Sequence, residues 1–412
     1  MAILDDGRSR PDITPIYGAR HNLVTYLDRI DPLYEVTWRD GVNINWRTIH
    51  ALQHGMGLNA HGQLVHTSAV IESPIDMPPG LTHAHASVQI MASLIQFYQL
   101  STYQLATLLG TSANRIWRWL SALYAHGVIE RAVPHWIGGG IASDRGSAGT
   151  GSLWRVAAHS ERFEAWLDGL SDVEYLLLTG GVDVTRGTNS SRSATSLRHN
   201  FALAEIMVRA LEIIPSVAGV WGESFTRADL LMDPTLKQDW GIRDNVADGA
   251  VVLRDGRIIL LETSGAQKLD NKSNGPRLQA KAAAWATVAA LSDLDISVVF
   301  VDIAQATSRR RFRHHVQQGV EAASANIANQ SLLRRGQQSV FLADAHDWFP
   351  FALSIARGFQ RLEAWSPVTE RYHDLIPAET EVDLNSDPVI NTVGSLHTPA
   401  WAFTPVRDLV TA

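Results

Sequence analysis

The stretch STYQLATLLGTSANRIWRWLSALYAHG, residues 101–127, decides how the first half of the chain folds. Ser101 is a helix cap, and the spacing predicts a short helix to Leu109, closed by Gly110. After a tight Gly110-Thr111-Ser112 connection, a second helix is predicted up to a glycine stop at Gly127. Ile116, Leu120, Leu123 and Tyr124 recur at three- and four-residue steps and define its core-facing stripe. Asn114, Arg115 and Arg118 fall outside that stripe, and their side chains are of the kinds that bond base edges and phosphates. Beyond Gly127, VIERAV (128–133) and SLWRVAA (152–158) predict two strands around a loose tip at 138–151.

Together these elements read as a winged helix-turn-helix over residues 81–160. Such a unit implies double-stranded DNA as partner, with Ser112, Asn114, Arg115 and Arg118 at the groove and Arg131 and Arg145 on the wing. A homodimer is expected, because two-fold readers meet palindromic sites. The same geometry also serves as a dimerisation or protein-binding platform. One of Trp117 and Trp119 is expected beneath the wing, the other against DNA or a partner. Five arginines stand against Glu130 and Asp144 in this window, with no lysine. That modest surplus favours selective contacts over indiscriminate polyanion binding.

The whole chain of 412 residues carries a formal net charge of -7, so it is no polycation. A hydrophobic fraction of 45% with 19% charged residues suits two or three packed domains and excludes a mostly disordered chain. With no cysteine, disulfides, thiolate metal sites and cysteine nucleophiles are all excluded. No apolar run approaches the roughly 20 residues needed to cross a bilayer, and the start MAILDDGRSRPDIT lacks a signal-peptide core. A soluble, cytoplasmic protein without membrane contact is expected.

Residues 1–80, punctuated by prolines, predict an irregular arm with a small hairpin at TWRDGVNINW. Residues 161–195 read as a connecting helix and a polar Ser/Thr-rich linker. From 196 to 345 helical and strand patterns alternate in the order α-β-β-β-α-β, which describes a mixed sheet flanked by helices. Residues 346–412 form a weakly patterned extension marked by loops. The fold class expected is α+β and multidomain: a winged helix-turn-helix followed by an α/β, nuclease-like mixed sheet.

Within that second half, VADGAVVLRDGRIILLETS (246–264) is a hairpin turning at Asp255-Gly256. Asp248 begins one strand and Glu262 ends its partner, so the turn brings the two carboxylates to one sheet edge. Hard divalent cations, Mg²⁺ or Mn²⁺, prefer such oxygen ligands and activate water for attack on a phosphodiester. Glu223 on the preceding strand is a third candidate ligand, and Glu205 a weaker one. Strand order and acid spacing resemble the PD-(D/E)XK nuclease superfamily, in which Glu-x-Lys follows on the third strand. Here the run is Glu262-Thr263-Ser264. Serine supplies no charge, and Lys268 or Lys281 would have to fold back to serve as the catalytic cation beside Asp248 and Glu262.

The combination resembles the replication-relaxation family of plasmids and integrative elements. The matching residues are the second helix through HGVIER, His199 in SLRHNFALAE, Glu223 in WGESF, Asp248 and Gly249 in VADGAVVL, Glu262 in IILLETSG, and Lys281 to Trp285 in LQAKAAAW. They span about residues 84–306. Ser264 departs from the acid expected there in many relatives. The resemblance implies a role in replication, transfer or control of a mobile element.

The leading expectation is therefore a DNA-binding protein whose nuclease-like half is weak or inactive in cleavage. A metal-dependent endonuclease and a structural assembly protein are the alternatives. The densest basic run, SRRRFRHH (308–315), adds Arg309, Arg310 and Arg311 as candidate phosphate contacts beside the alternative of a solvated helix start.

Overall fold

The computed structural model describes residues 8–14, 42–47, 56–58, 64–66, 85–109, 113–136, 152–158, 160–181, 183–184, 194–232, 245–264, 274–303, 309–325, 327–349 and 355–377. Helices and two sheets make a mixed α+β architecture. The chain divides into two compact units, Leu23–Val208 with Thr392–Ala412, and Arg209–Asn391 with Met1–Asn22.

The Leu23–Val208 unit runs β1 (Val42–Arg47), β2 (Met56–Leu58), β3 (Leu64–His66), α1 (His85–Phe97), β4 (Leu100–Ser101), α2 (Thr102–Leu108), α3 (Ala113–Ala125), β5 (Ile129–Trp136), β6 (Leu153–Val156), α4 (Glu161–Asp168) and α5 (Asp172–Thr179). It also holds most of α6 (Ala194–Ile213). Ser101 and Gln104 form a reciprocal capping box, each side chain satisfying the other's backbone N–H, and this fixes where α2 begins. Gly127, at φ 72°, supplies the left-handed turn that ends α3 and feeds β5.

Ile116, Leu120, Leu123 and Tyr124 are all buried. Each aliphatic residue among them contributes about 1.5–3 kcal/mol by leaving water. Helix propensities differ by less than about 1 kcal/mol per residue, so burial, not propensity, decides which side of α3 faces out. Strands β5 and β6 are antiparallel, and β6 pairs on its other edge with β4.

Two sequence expectations change here. The N-terminal region contributes strands instead of an arm alone: β1 pairs along its length with β5, and β2 and β3 extend the order to β3-β2-β1-β5-β6-β4. Residues Val42–Arg47, which overlap the second half of the expected hairpin, therefore take β5 as their main partner, and Arg155 holds them there. Its guanidinium lies 4.2 Å from the ring centre of Trp46 and donates to Glu130 Oε2 at 2.6 Å. The other half of that hairpin lies outside the described residues, as does most of the predicted polar linker.

The second unit runs β7 (Val217–Gly222), α7 (Ala228–Leu231), β8 (Gly249–Leu253), β9 (Ile258–Ser264), α8 (Asn274–Leu291), β10 (Ile296–Asp302), α9 (Arg309–Ala322), α10 (Gln330–Gln338), β11 (Val340–Asp344), α11 (Ala345–Trp348), α12 (Arg357–Gln360), β12 (Ala364–Ser366) and β13 (Arg371–His373). One seven-stranded sheet follows this order from β13 to β7. β7, β8 and β9 are successively antiparallel, while β9, β10 and β11 are parallel. Gly256 takes φ +90° at the predicted Asp255-Gly256 turn.

The tail is less loop-like than its pattern suggests. β12 and β13 extend the sheet, and Arg8 bridges to Tyr372 on β13. Arg8 then pairs with Asp374 at 2.8 Å, and Arg361 with Asp12 at 2.9 Å. Among the described residues no helix is long and apolar enough to cross a membrane.

Candidate functional site

Two arrangements carry the predicted residues, one in each unit. On α3, Asn114, Arg115 and Arg118 are exposed while Ala113, Ile116, Leu120, Ala122, Leu123 and Tyr124 are buried. The exposed set lies on the first two turns of the helix and leaves a polar, cationic side toward solvent. Trp117 packs against β6, with its ring 5.4 Å from that of Trp154. Trp154 is fully buried and donates its Nε1–H to Thr102 Oγ1 at 2.9 Å, which ties β6 to α2.

Arg131 is engaged in that same packing. Its guanidinium lies 5.1 Å from the Trp117 ring centre, and its Nε–H donates to Ser152 Oγ at 2.8 Å. An arginine held over an aromatic face steadies β5 against α3. Ser112 and Arg145 lie outside the described residues.

Glu205 on α6 is fully buried and accepts from Gln104 Nε2 at 3.2 Å. It belongs to the packing of α2 against α6.

In the second unit the register Gly249↔Leu261 sets Asp248 and Glu262 at one end of the β8–β9 hairpin. Asp248 N–H donates to Leu261 O at 3.0 Å, and Asp248 Oδ2 accepts from both Thr263 N–H at 2.6 Å and Thr263 Oγ1 at 3.0 Å. The alternation of β9 explains why Glu262 points inward. Ile258 and Leu260 belong to the core beneath α8, and Glu262 is the next residue of the same face. Only 4% of its side chain is exposed.

Both Glu262 oxygens are occupied by residues one turn apart on α8. Trp285 donates Nε1–H to Oε1 at 2.5 Å, and Lys281 Nζ meets Oε2 at 2.5 Å. Lys281 thus supplies the ammonium that Ser264 cannot, arriving from the helix instead of the strand. Lys268 lies outside the described residues. Trp285 as the second Glu262 partner was not anticipated. Its position four residues after Lys281 was the available signal, since residues spaced so share a helix face.

The electrostatics follow from unequal burial. Desolvation pushes the Glu262 carboxyl up to about 8, against the pull of Lys281 and with the push of Asp248. Burial also disfavours the Lys281 ammonium, yet Glu262, Asp248 and Glu223 together outweigh this and raise its pKa. Burial favours the protonated carboxyl, while the ammonium of Lys281 and the indole N–H of Trp285, one on each oxygen, favour the carboxylate.

Glu223 opens the 3-10 turn after β7, half-buried, and acts on Lys281 through its field. Among the described residues no group of three His, Asp or Glu side chains is disposed to hold a metal ion. A divalent cation does not fit the donors as they stand, since Lys281 and Trp285 saturate Glu262 and Thr263 takes Asp248 Oδ2 twice.

Of the basic run, Arg310 and Arg311 are exposed on α9, and Arg309 is its first residue. Arg313 turns the other way, stacking 4.8 Å from the Trp365 ring centre and donating to the Tyr372 hydroxyl at 2.5 Å.

No family model matches the chain, and no curated protein or solved structure is similar to it.

Proposed function

We propose that this chain is a cytoplasmic DNA-binding protein of a plasmid or mobile-element replication or transfer system. In this reading a homodimer recognises its site through Asn114, Arg115 and Arg118, presented by a winged helix-turn-helix. The single observation that carries it is the solvent side of α3, which offers one amide and two guanidinium groups while the opposite side is packed. Such groups pair with base edges and phosphates in a major groove. The antiparallel β5-β6-β4 arrangement around α1, α2 and α3 supports the winged form. The mobile-element context rests on the resemblance of residues 84–306 alone. The α/β unit is a PD-(D/E)XK-like scaffold, supported by its α-β-β-β-α-β order, with cleavage weak or lost because Lys281 holds Glu262.

Selection of bound duplexes from a random pool, followed by gel shift, tests this. The wild-type chain enriches a site, and Arg115→Ala with Arg118→Ala loses the enrichment. Equal enrichment by the variant would remove α3 as the reading element. A metal-dependent endonuclease is the second reading, favoured by the convergence of Asp248, Glu262 and Lys281. It requires Asp248, Glu262 and Glu223 to accept Mg²⁺ or Mn²⁺ in exchange for Lys281. Nicking of supercoiled plasmid with either ion, lost in Asp248→Ala and Glu262→Ala, would promote it over the first.

A further inference from the structure

The solvent-facing part of α3 is short, and its chemistry is specific. Of the 13 residues Ala113–Ala125, only Asn114, Arg115 and Arg118 are exposed, and from Trp119 onward every residue is buried or half-buried. The helix carries no acid, so nothing on it repels a polyanion. Its rotation is also fixed. Trp117, the neighbour of Arg118, has its ring centre 5.4 Å from that of Trp154 and 5.1 Å from the Arg131 guanidinium. Tyr124 meets Trp154 edge-on at 6.1 Å, and Ile116, Leu120 and Leu123 are buried. A side chain carried on an element packed in this way keeps its direction, which reading a base requires.

Asn114 and Arg118 are four residues apart, so they stand on one side of the helix about 6 Å apart along its axis. Among the described residues neither side chain has a hydrogen-bond or ion-pair partner, whereas Arg115 already has an interaction within the chain. On the major-groove edge a carboxamide pairs with adenine N6 and N7, and a guanidinium with guanine O6 and N7, each through two hydrogen bonds. Base pairs stack about 3.4 Å apart, so the separation of the two side chains spans about two steps.

We infer that α3 reads an adenine through Asn114 and a guanine through Arg118, the two bases lying within about two base pairs of each other. The inference rests on the proposed DNA-binding role of α3 and deepens it by naming the bases. The partner it specifies is duplex DNA whose major groove offers these two edges in succession.

The test is selection of bound duplexes from a random pool by the full chain, run for wild type, N114A, R118A and R118Q. Wild type is expected to enrich sites in which a guanine and an adenine recur at one fixed short spacing. R118A flattens the guanine position and N114A the adenine position, each leaving the other in place. On single duplexes each alanine variant loses about 5- to 150-fold of discrimination at its own position. R118Q is expected to exchange guanine for adenine there, because a glutamine carboxamide pairs with adenine as asparagine does. A variant that had only lost its fold could not gain a base. Guanine and adenine that survive in R118A and N114A would overturn the assignment and leave the proposed DNA binding standing. Loss of every position together in both alanine variants, with no exchange in R118Q, would overturn it in the same way. A wild-type chain that enriches no site would remove both.

Discussion

Replacing Glu262 by glutamine isolates a buried acid whose protonation the fold controls. The Glu262 carboxyl is raised from 4.5 to about 8, mainly by burial. A carboxyl raised in the folded state binds its proton more tightly there than in the unfolded chain. The associated stability is fully present below the unfolded value and is lost as pH rises through the folded one. Between those two values each pH unit removes roughly 1.4 kcal/mol, so the wild-type chain loses roughly 2–3 kcal/mol from this group between about pH 6 and pH 9.

Glu262→Gln cannot ionise, keeps an oxygen for Trp285 Nε1–H and is nearly isosteric. Its NH2 group replaces Oε2 and cannot accept from Lys281, so that hydrogen bond is lost at a cost of about 1–3 kcal/mol. Every other titrating group is common to both proteins, so the difference between their pH profiles reports Glu262 together with its effect on Lys281. Urea unfolding at half-unit steps from pH 6 to 9 measures it. The expected result is a wild-type advantage at pH 6 that shrinks or reverses by pH 9. Parallel profiles would refute the reasoning and show that Lys281 keeps Glu262 ionised throughout.

Lys281→Met removes the only cation described at this carboxylate and should push the Glu262 titration to still higher pH, which the same urea series would register as a shifted window. Gly319→Ala forces a methyl against the Gln279 carbonyl and the Ala282 side chain, both on a packed helix. Prising α9 from α8 should cost about 1–3 kcal/mol in urea, and an unchanged midpoint would mean the helices have room to part. Ser101→Ala removes the half of the α2 capping box in which Ser101 Oγ accepts from Gln104 N–H and should cost about 1 kcal/mol, with amide exchange quickening first at the start of α2. Arg310→Glu complements the α9 macrodipole and should raise thermal stability by about 0.3–1 kcal/mol. A melt that falls instead would make Arg310 part of the packing.

What could be read from the sequence follows the range of the interactions involved. α2 and α3 were legible because the Ser101 cap of the first and the apolar stripe and Gly127 stop of the second are local. The hairpin around Gly256 was legible because a two-residue turn fixes register, and register alone brings Asp248 to Glu262. β12 and β13 were missed for the opposite reason. Strands of three residues are too short to show a period, and their stability comes from pairing with β11 and with Arg8 at the far end of the chain. The candidate site divides along the same line. Its carboxylates sit on adjacent strands, but the ammonium comes from a helix whose approach depends on the packing of Trp285, Ala282 and Ala286 beneath it. From sequence, Ser264 argued that the charge was missing. In the folded chain a lysine seventeen residues later takes the work, because one turn of α8 spans the gap between Trp285 at Oε1 and Lys281 at Oε2. The lysine that completes this cluster also blocks it: with its ammonium on Glu262, the site is neutralised from within. On the endonuclease reading, cleavage would require that single side chain to leave Glu262 for a cation to take its place.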